Sequence, residues 1–330
     1  MRHCHSRFST AVRGISSWLL IVFLLVSCSV SQTPQDFSMN KTSFHVSDPE
    51  AYQFLVAGHI YGSHNDNASR PAATLLQNLT AIQQMDLNMI VLLGDSVNDS
   101  TPEDFQSLEE NFLNQLSIPV FNAIGNHDIR NNGRLKYEER YGPTYFTLRY
   151  GPAQLIILDT ELENCSIVGD QLDMLATTLH EASQDSSIAH IFVFMHKVIF
   201  IEQFRKLLDS ENPQVKPNNG TITCEKNYSS LLEKNFLPAA RVKPVYLIAG
   251  DAGAYDGNFS PFYQKHPDAS LYTIATGIGD TSQDSVILVS IDQSETRFEV
   301  MSLTGKTFNP LETYNLAYWE SLAKEVPQRE

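Results

Sequence analysis

The stretch FNAIGNHDIR, Phe121 to Arg130, ends a short apolar run at Gly125 and then crowds an amide, an imidazole and a carboxylate into Asn126, His127 and Asp128. Gly, Asn and Asp are turn formers for steric reasons, so the stretch alone reads as a surface turn. Four other apolar runs end in the same way: FLVAGH on His59, IVLLGD on Asp95, FVFMH on His196 and YLIAGD on Asp251. The segments between the first three carry apolar residues at helical spacing, and TPEDFQSLEENFLNQL opens with Thr101 as N-cap and Pro102 at the first helical position. A β-α-β-α-β order predicts parallel strands with crossover helices. In such sheets ligands gather beyond the carboxyl ends of the strands. Five polar residues at that level are therefore expected to converge, which isolated turn chemistry does not predict.

The residue types are mixed nitrogen and oxygen donors, which suit Zn²⁺, Mn²⁺ or iron better than Ca²⁺. Asp95 has two carboxylate oxygens and could bridge two ions, a recurring device in phosphoester hydrolysis. His127 follows a candidate ligand, so it is expected at the edge of the site, placed to protonate a leaving group or stabilise phosphoryl charge.

Gly94-Asp95-x-x-Asn98, Gly125-Asn126-His127-Asp128 and the strand-ending His196 together resemble the calcineurin-like metallophosphoesterases, over about residues 53 to 302. The segment YFTLRYGPAQLIILDTE looks like the family's chain after its Asn-His motif. The resemblance implies an α/β fold of two facing mixed β-sheets flanked by helices, a four-layer α/β/β/α sandwich. It also implies a dinuclear metal centre at the strand ends, where metal-bound hydroxide attacks a phosphomonoester or phosphodiester directly. Asn98 or Asp99 would orient His127.

Two motifs depart from the family pattern. His59 stands where the first carboxylate belongs, and Tyr61 stands where the first histidine belongs. A phenolate there would favour a hard ion such as Fe³⁺. The last motif reads Gly250-Asp251-Ala252-Gly253, so Asp251 replaces a histidine and Gly253 brings no side chain. One set of ligands, Asp95, Asn126, His196 and Asp251, is thus expected to hold an ion firmly. The other, Asp95 with His59 and Tyr61, is expected to hold one weakly, giving one or two bound ions. Lys197 is an unfavourable neighbour for a cation.

The chain has 330 residues, 42% hydrophobic and 10% aromatic, with a net charge of -15. That charge argues against nucleic acid, whose phosphates require clustered Lys and Arg. Arg2, Arg7 and Arg13 precede WLLIVFLLV, Trp18 to Val26, which is too short to span a membrane comfortably and fits a signal-peptide core. It leads into LVSC, which resembles the lipobox of bacterial lipoproteins, with Cys28 as the lipidated mature N-terminus. Ser29 after it leans toward the outer membrane. The expected organisation is a signal peptide over 1–27, a polar tether over 28–48, a catalytic domain over 49–305 and a C-terminal extension over 306–330. The expected partners are a small phosphoester and, through the lipid, a membrane of the cell envelope; the oligomeric state is left open. Cys165 and Cys224 remain in an exported chain, either paired or as separate thiols. The segments 209–228 and 254–268 are expected to rim the pocket, with Tyr255, Phe259, Phe262 and Tyr263 available to stack on a substrate or to fill core.

Two rival readings differ in class. Gly94-Asp95-Ser96 is similar to the nucleophile block of GDSL esterases, but no Asp-x-x-His follows to activate the serine. The altered metal motifs also suit a lipid-anchored binding protein that keeps the fold without catalysis.

Overall fold

Alternation of buried side chains sorts the strands into two sheets. The computed structural model describes residues 38–44, 51–63, 69–212, 215–216, 224, 226–253, 259–292 and 295–325, all within one unit, Thr33–Glu330. The strands are β1 (Ala51–Ala57), β2 (Met89–Leu92), β3 (Val120–Asn122), β4 (Phe146–Tyr150), β5 (Ala153–Ile157), β6 (His190–Met195), β7 (Val245–Ala249), β8 (Phe262–Lys265), β9 (Leu271–Ala275), β10 (Ser285–Asp292) and β11 (Glu295–Ser302). One sheet runs β11-β10-β1-β2-β3 and the other β4-β5-β6-β7-β9-β8. In the first, β1, β2 and β3 are parallel, while β10 and β11 add antiparallel strands at one edge. In the second, β5, β6, β7 and β9 are parallel, with β4 and β8 antiparallel at the two edges.

Side chains two apart along a strand share a face. Phe54 and Val56 of β1 therefore point into the space between the sheets, where Phe54 meets Phe192 and Phe194 of β6 at ring separations of 5.2 and 6.0 Å. The alternate residues Leu55 and Ala57 face outward to helices 73–83, 102–111 and 134–141. Ile191, Val193 and Met195 face the opposite helical layer, built around helix Gly169–Gln184. The architecture is two mixed β-sheets flanked by helices.

The structure adds detail to the sequence reading in three places. The segment PAATLLQNLTAIQQM, residues 71–85, whose apolar residues stand at helical spacing, divides into Ala73–Gln77 and Leu79–Gln83. At the break the Asn78 N–H bonds Leu75 O, three residues back, while its side chain takes the Thr74 carbonyl and reaches Leu303 O. Of the aromatic residues read as either stacking on a substrate or filling core, Phe259 and Phe262 are fully buried against Phe204, at 4.6 and 4.5 Å. Phe262 begins β8, a strand that its short mixed pattern concealed. Beyond residue 305, Leu311, Tyr314 and Trp319 are buried, and Trp319 Nε1 donates to Pro261 O at 3.2 Å.

Cys28, the segment 1–27, most of the tether, Tyr255 and much of 209–228 lie outside the described residues. Among the described residues no helix is long and apolar enough to cross a membrane. Cys165 and Cys224 form a disulfide across 59 residues.

Candidate metal centre

The ends of β1, β2, β3, β6 and β7 bring their polar residues together from both sheets. Gly94 (φ +78) and Asp95 (φ +53) follow β2 in left-handed backbone, and His59 after β1 has φ +57. Non-glycine residues rarely adopt this conformation, and such strain collects at ligand sites. The two exits are laced together: His59 N–H donates to Gly94 O at 3.0 Å and Tyr61 N–H to Asp95 O at 3.2 Å.

Gly125 ends the third run because a Cβ there would overlap the Asp95 main-chain nitrogen and carboxylate. With the glycine in place, Asp95 Oδ1 accepts the His127 N–H at 2.9 Å. Asp128 is fully buried and accepts N–H bonds from Ser96, Val97 and Gly125 at 2.7, 3.2 and 2.9 Å. It thus staples the loop after β2 to the turn after β3, a role not read from the sequence.

Three imidazoles share one orientation. Nδ1 of His59 faces Ile278 O at 2.9 Å, Nδ1 of His127 faces Asn98 O at 2.7 Å and Nδ1 of His196 faces Leu93 O at 2.8 Å. A carbonyl oxygen accepts only, so each Nδ1 carries the proton and each Nε2 is turned to the Asp95 side. This is the arrangement in which metal-ligating histidines are fixed from behind. Nε2 of His196 is 3.4 Å from Asp95 Oδ1, while Nε2 of His59 and of His127 are 3.7 and 3.9 Å from Oδ2. Asp95 is therefore flanked on both carboxylate oxygens.

His127 is oriented by the main-chain carbonyl of Asn98, not by its amide. Asp99, the other expected orienting group, instead faces Asn131 at 3.5 Å and Arg130 at 4.0 Å. Arg130 donates to His127 Nε2 at 2.7 Å. With Nδ1 protonated and Nε2 accepting from a guanidinium, His127 is neutral and has no proton to give at Nε2, contrary to the leaving-group role expected from sequence. Burial, with help from Arg130, pushes its imidazole down despite the opposing Asp95 charge. Tyr61 lies between His59 and His127, 4.4 Å from each ring, stacked on His127 and tilted to His59, and its hydroxyl is 3.4 Å from His127 Nε2. In this position it walls the site.

Lys197, read from the sequence as an unfavourable neighbour for a cation, enters the site itself. Its Nζ lies 2.7 Å from Asp251 Oδ2 and 2.5 Å from Asn126 Oδ1, within the four-residue set expected to hold an ion firmly. Burial alone would depress this ammonium, but Asp251, Glu161 and Asp95 outweigh it and hold the pKa above the ordinary lysine range. Burial likewise opposes charge on His196, yet Asp95 and Asp251 outweigh it and the Lys197 charge, pushing His196 up to about 9. Burial would raise Asp95, but the three histidines, His196 foremost, keep it ionised. Two carboxylates are thus matched inside the site by an ammonium and an imidazolium.

Ligand atoms bonded at about 2.1 Å to a tetrahedral ion stand about 3.4 Å apart. His196 Nε2 is 3.3 Å from Asn126 Oδ1, 3.4 Å from Asp95 Oδ1 and 4.0 Å from Asp251 Oδ2, so the spacing fits an ion. Asp95, His196 and Asp251 form a buried group, with ligand atoms within 4.8 Å of one another, that could hold a metal. Lys197 contests that spacing at Asn126 and Asp251. Ser96 Oγ is buried without a hydrogen-bond partner, so no histidine activates it as the esterase reading requires.

No protein-family model matches the chain, and no curated protein matches it in sequence. Among solved structures, the chain is similar to the purple acid phosphatase of yellow lupin (Lupinus luteus) seeds, at 10% identity and TM-score 0.49. The match covers 82% of this chain and 54% of that one, so the chain spans about half the length of the lupin enzyme. A Thermotoga maritima protein matches over 76% of this chain and 99% of its own, at 13% identity and TM-score 0.31. A cold-active protein tyrosine phosphatase matches over 75% and 78%, at 12% identity and TM-score 0.29. Similarity at this level carries no residue roles.

Proposed function

We propose that the protein is a divergent calcineurin-like phosphoesterase that hydrolyses a small phosphomonoester or phosphodiester with one metal ion anchored on Asp95. The observation that supports this reading is the common posture of His59, His127 and His196, each tethered at Nδ1 and turning Nε2 to Asp95. A core histidine has no reason to share that posture with two others around one ionised carboxylate. Asp95 and His59 would hold the ion, with His196 on the other carboxylate oxygen of Asp95 and Asp251 already paired with Lys197. When bound, such an ion polarises a phosphoryl oxygen and acidifies water. Arg130 stands at the exposed edge, ready to receive phosphate charge, and the His127 Nε2 lone pair is placed to accept a proton once the guanidinium turns to the substrate.

The opposing reading is a binding protein without turnover. What favours it is that Lys197 and His196 already balance Asp251 and Asp95. Assays on p-nitrophenyl phosphate and its bis ester with Mn²⁺, Zn²⁺ and iron, on wild type and Asp95→Ala, separate the two. The hydrolase reading expects turnover that Asp95→Ala reduces by about 1,000-fold or more, the scale of a lost transition-state stabiliser. Absence of turnover with every ion and both esters sinks it.

We further propose an envelope location through lipid at Cys28, supported by the lipobox-like Leu25–Cys28. Mass spectrometry of the N-terminal peptide should find an acylated cysteine, and Cys28→Ser should release the chain from the membrane fraction. An unmodified N-terminus upstream of Cys28 counts against it.

A further inference from the structure

We propose that the ammonium of Lys197 is a built-in cation that takes the place of one metal ion of the expected pair, so that the chain binds a single ion. This deepens the phosphoesterase reading and rests on it for its catalytic meaning, although the ion count stands independently of turnover.

The argument begins with charge burial. Asp95 and Asp251 are almost fully buried, at 2% and 1% exposure. A buried carboxylate is tolerated only when it is paired and hydrogen-bonded. In a two-ion centre both carboxylates would be neutralised by metal. Here Asp251 is paired with Lys197 Nζ at 2.7 Å, and the same nitrogen bonds Asn126 Oδ1 at 2.5 Å. An ion bound to those two oxygens would have to occupy the same space as the ammonium. The other half of the centre, Asp95 Oδ2 with His59, contains no lysine and is left for metal.

The lysine is positioned by the fold. It follows His196 at the end of β6, and its main-chain N–H donates to Thr160 Oγ1 at 3.1 Å. The residue is only 6% exposed, so the lysine is held within the protein beside its two oxygen partners. Asp251 is held from the same strand end, with its N–H donating to His196 O at 2.9 Å. Lys197 and Asp251 are thus carried on neighbouring parallel strands, β6 and β7, as a matched pair.

Two chemical consequences follow. A lysine ammonium is a compact point charge with three donors. It can therefore stabilise a phosphoryl oxygen on the Asn126 side without coordinating it. It also cannot acidify a bound water as a second ion would, so nucleophile activation belongs to the Asp95 side.

Removing the lysine charge takes from buried Asp251 its ammonium partner at 2.7 Å, and that deficit should draw in a cation. Lys197→Met, which keeps the stem without the charge, and Lys197→Gln are to be made in the soluble chain beginning after Cys28. Folding is checked by thermal melting, and bound Zn²⁺ or Mn²⁺ is counted by elemental mass spectrometry after equilibration and desalting. The expected result is one ion per chain in wild type and one more in either folded variant, with Lys197→Arg keeping the wild-type count. Equal counts in wild type and variant overturn the proposal. So do two ions in wild type, a result that needs no variant to fold. Failure of the phosphoesterase reading is separately visible as absent turnover at any ion count.

Discussion

The Asp128 carboxylate accepts the main-chain N–H of Ser96 at 2.7 Å, across 32 residues of sequence, and so ties the loop that carries Asp95 to the turn that carries His127. The same carboxylate takes the N–H groups of Val97 and Gly125. Asp128→Ala leaves three buried donors without an acceptor. Each unsatisfied donor costs about 1–3 kcal/mol, and part is recovered by no longer burying a charge. A net loss of about 3 kcal/mol in urea unfolding is expected, together with loss of ion binding. A variant as stable as wild type would show that the loops are held by other means.

Gly125→Ala tests the close approach of the third strand end to Asp95. Its Cβ would overlap Asp95, and the overlap meets backbone, so the loop must shift. Overpacking of this kind costs about 1–3 kcal/mol. Calorimetric titration with Zn²⁺ should show affinity falling by about tenfold or more, since 1.4 kcal/mol is a factor of ten. Unchanged affinity would mean that Asp95 is not a ligand, or that the turn yields freely.

Arg130 reaches His127 Nε2 at 2.7 Å and is 44% exposed at its side chain. In Arg130→Gln the charge-assisted contact to a phosphate oxygen is lost. KM for p-nitrophenyl phosphate should rise by about tenfold, with a smaller fall in kcat. A fall in kcat with KM unchanged would instead show that Arg130 acts only through His127.

The Cys165–Cys224 disulfide closes a loop with a sequence separation of 59. Chain-entropy reasoning assigns such a closure about 4 kcal/mol. The double variant Cys165→Ala/Cys224→Ala, or wild type held in dithiothreitol, should unfold at correspondingly lower denaturant. Coincident unfolding curves for oxidised and reduced protein would show that the bridge contributes nothing to the folded state.

Much of the architecture was legible because it rests on local rules. Apolar runs that stop at a glycine and a ligand-type residue mark strand ends, since burial and turn chemistry act over a few residues. The strands ending at His59, Asp95, Asn126, His196 and Asp251 were readable for that reason, as was Thr101 capping its helix, where Oγ1 accepts the Asp104 N–H at 3.1 Å. The helix break at Asn78 and strand β8 were not legible. Asn78 is turned by a carbonyl 225 residues away at Leu303, and the aromatic residues of 259–263 look alike whether they fill core or line a rim.

The sequence by itself determined which side chains stand at the strand ends and that they are of metal-binding type. Only the tertiary structure decided how they are used. It brought three of the strands from one sheet and two from the other to a common edge. It set the imidazole tautomers through the carbonyls of Leu93, Asn98 and Ile278, and main-chain atoms carry no sequence signature. It also carried Lys197 onto Asp251, 54 residues away. Pairing between buried charges depends on three-dimensional distance and on exclusion of water, and neither is written in the order of residues along the chain.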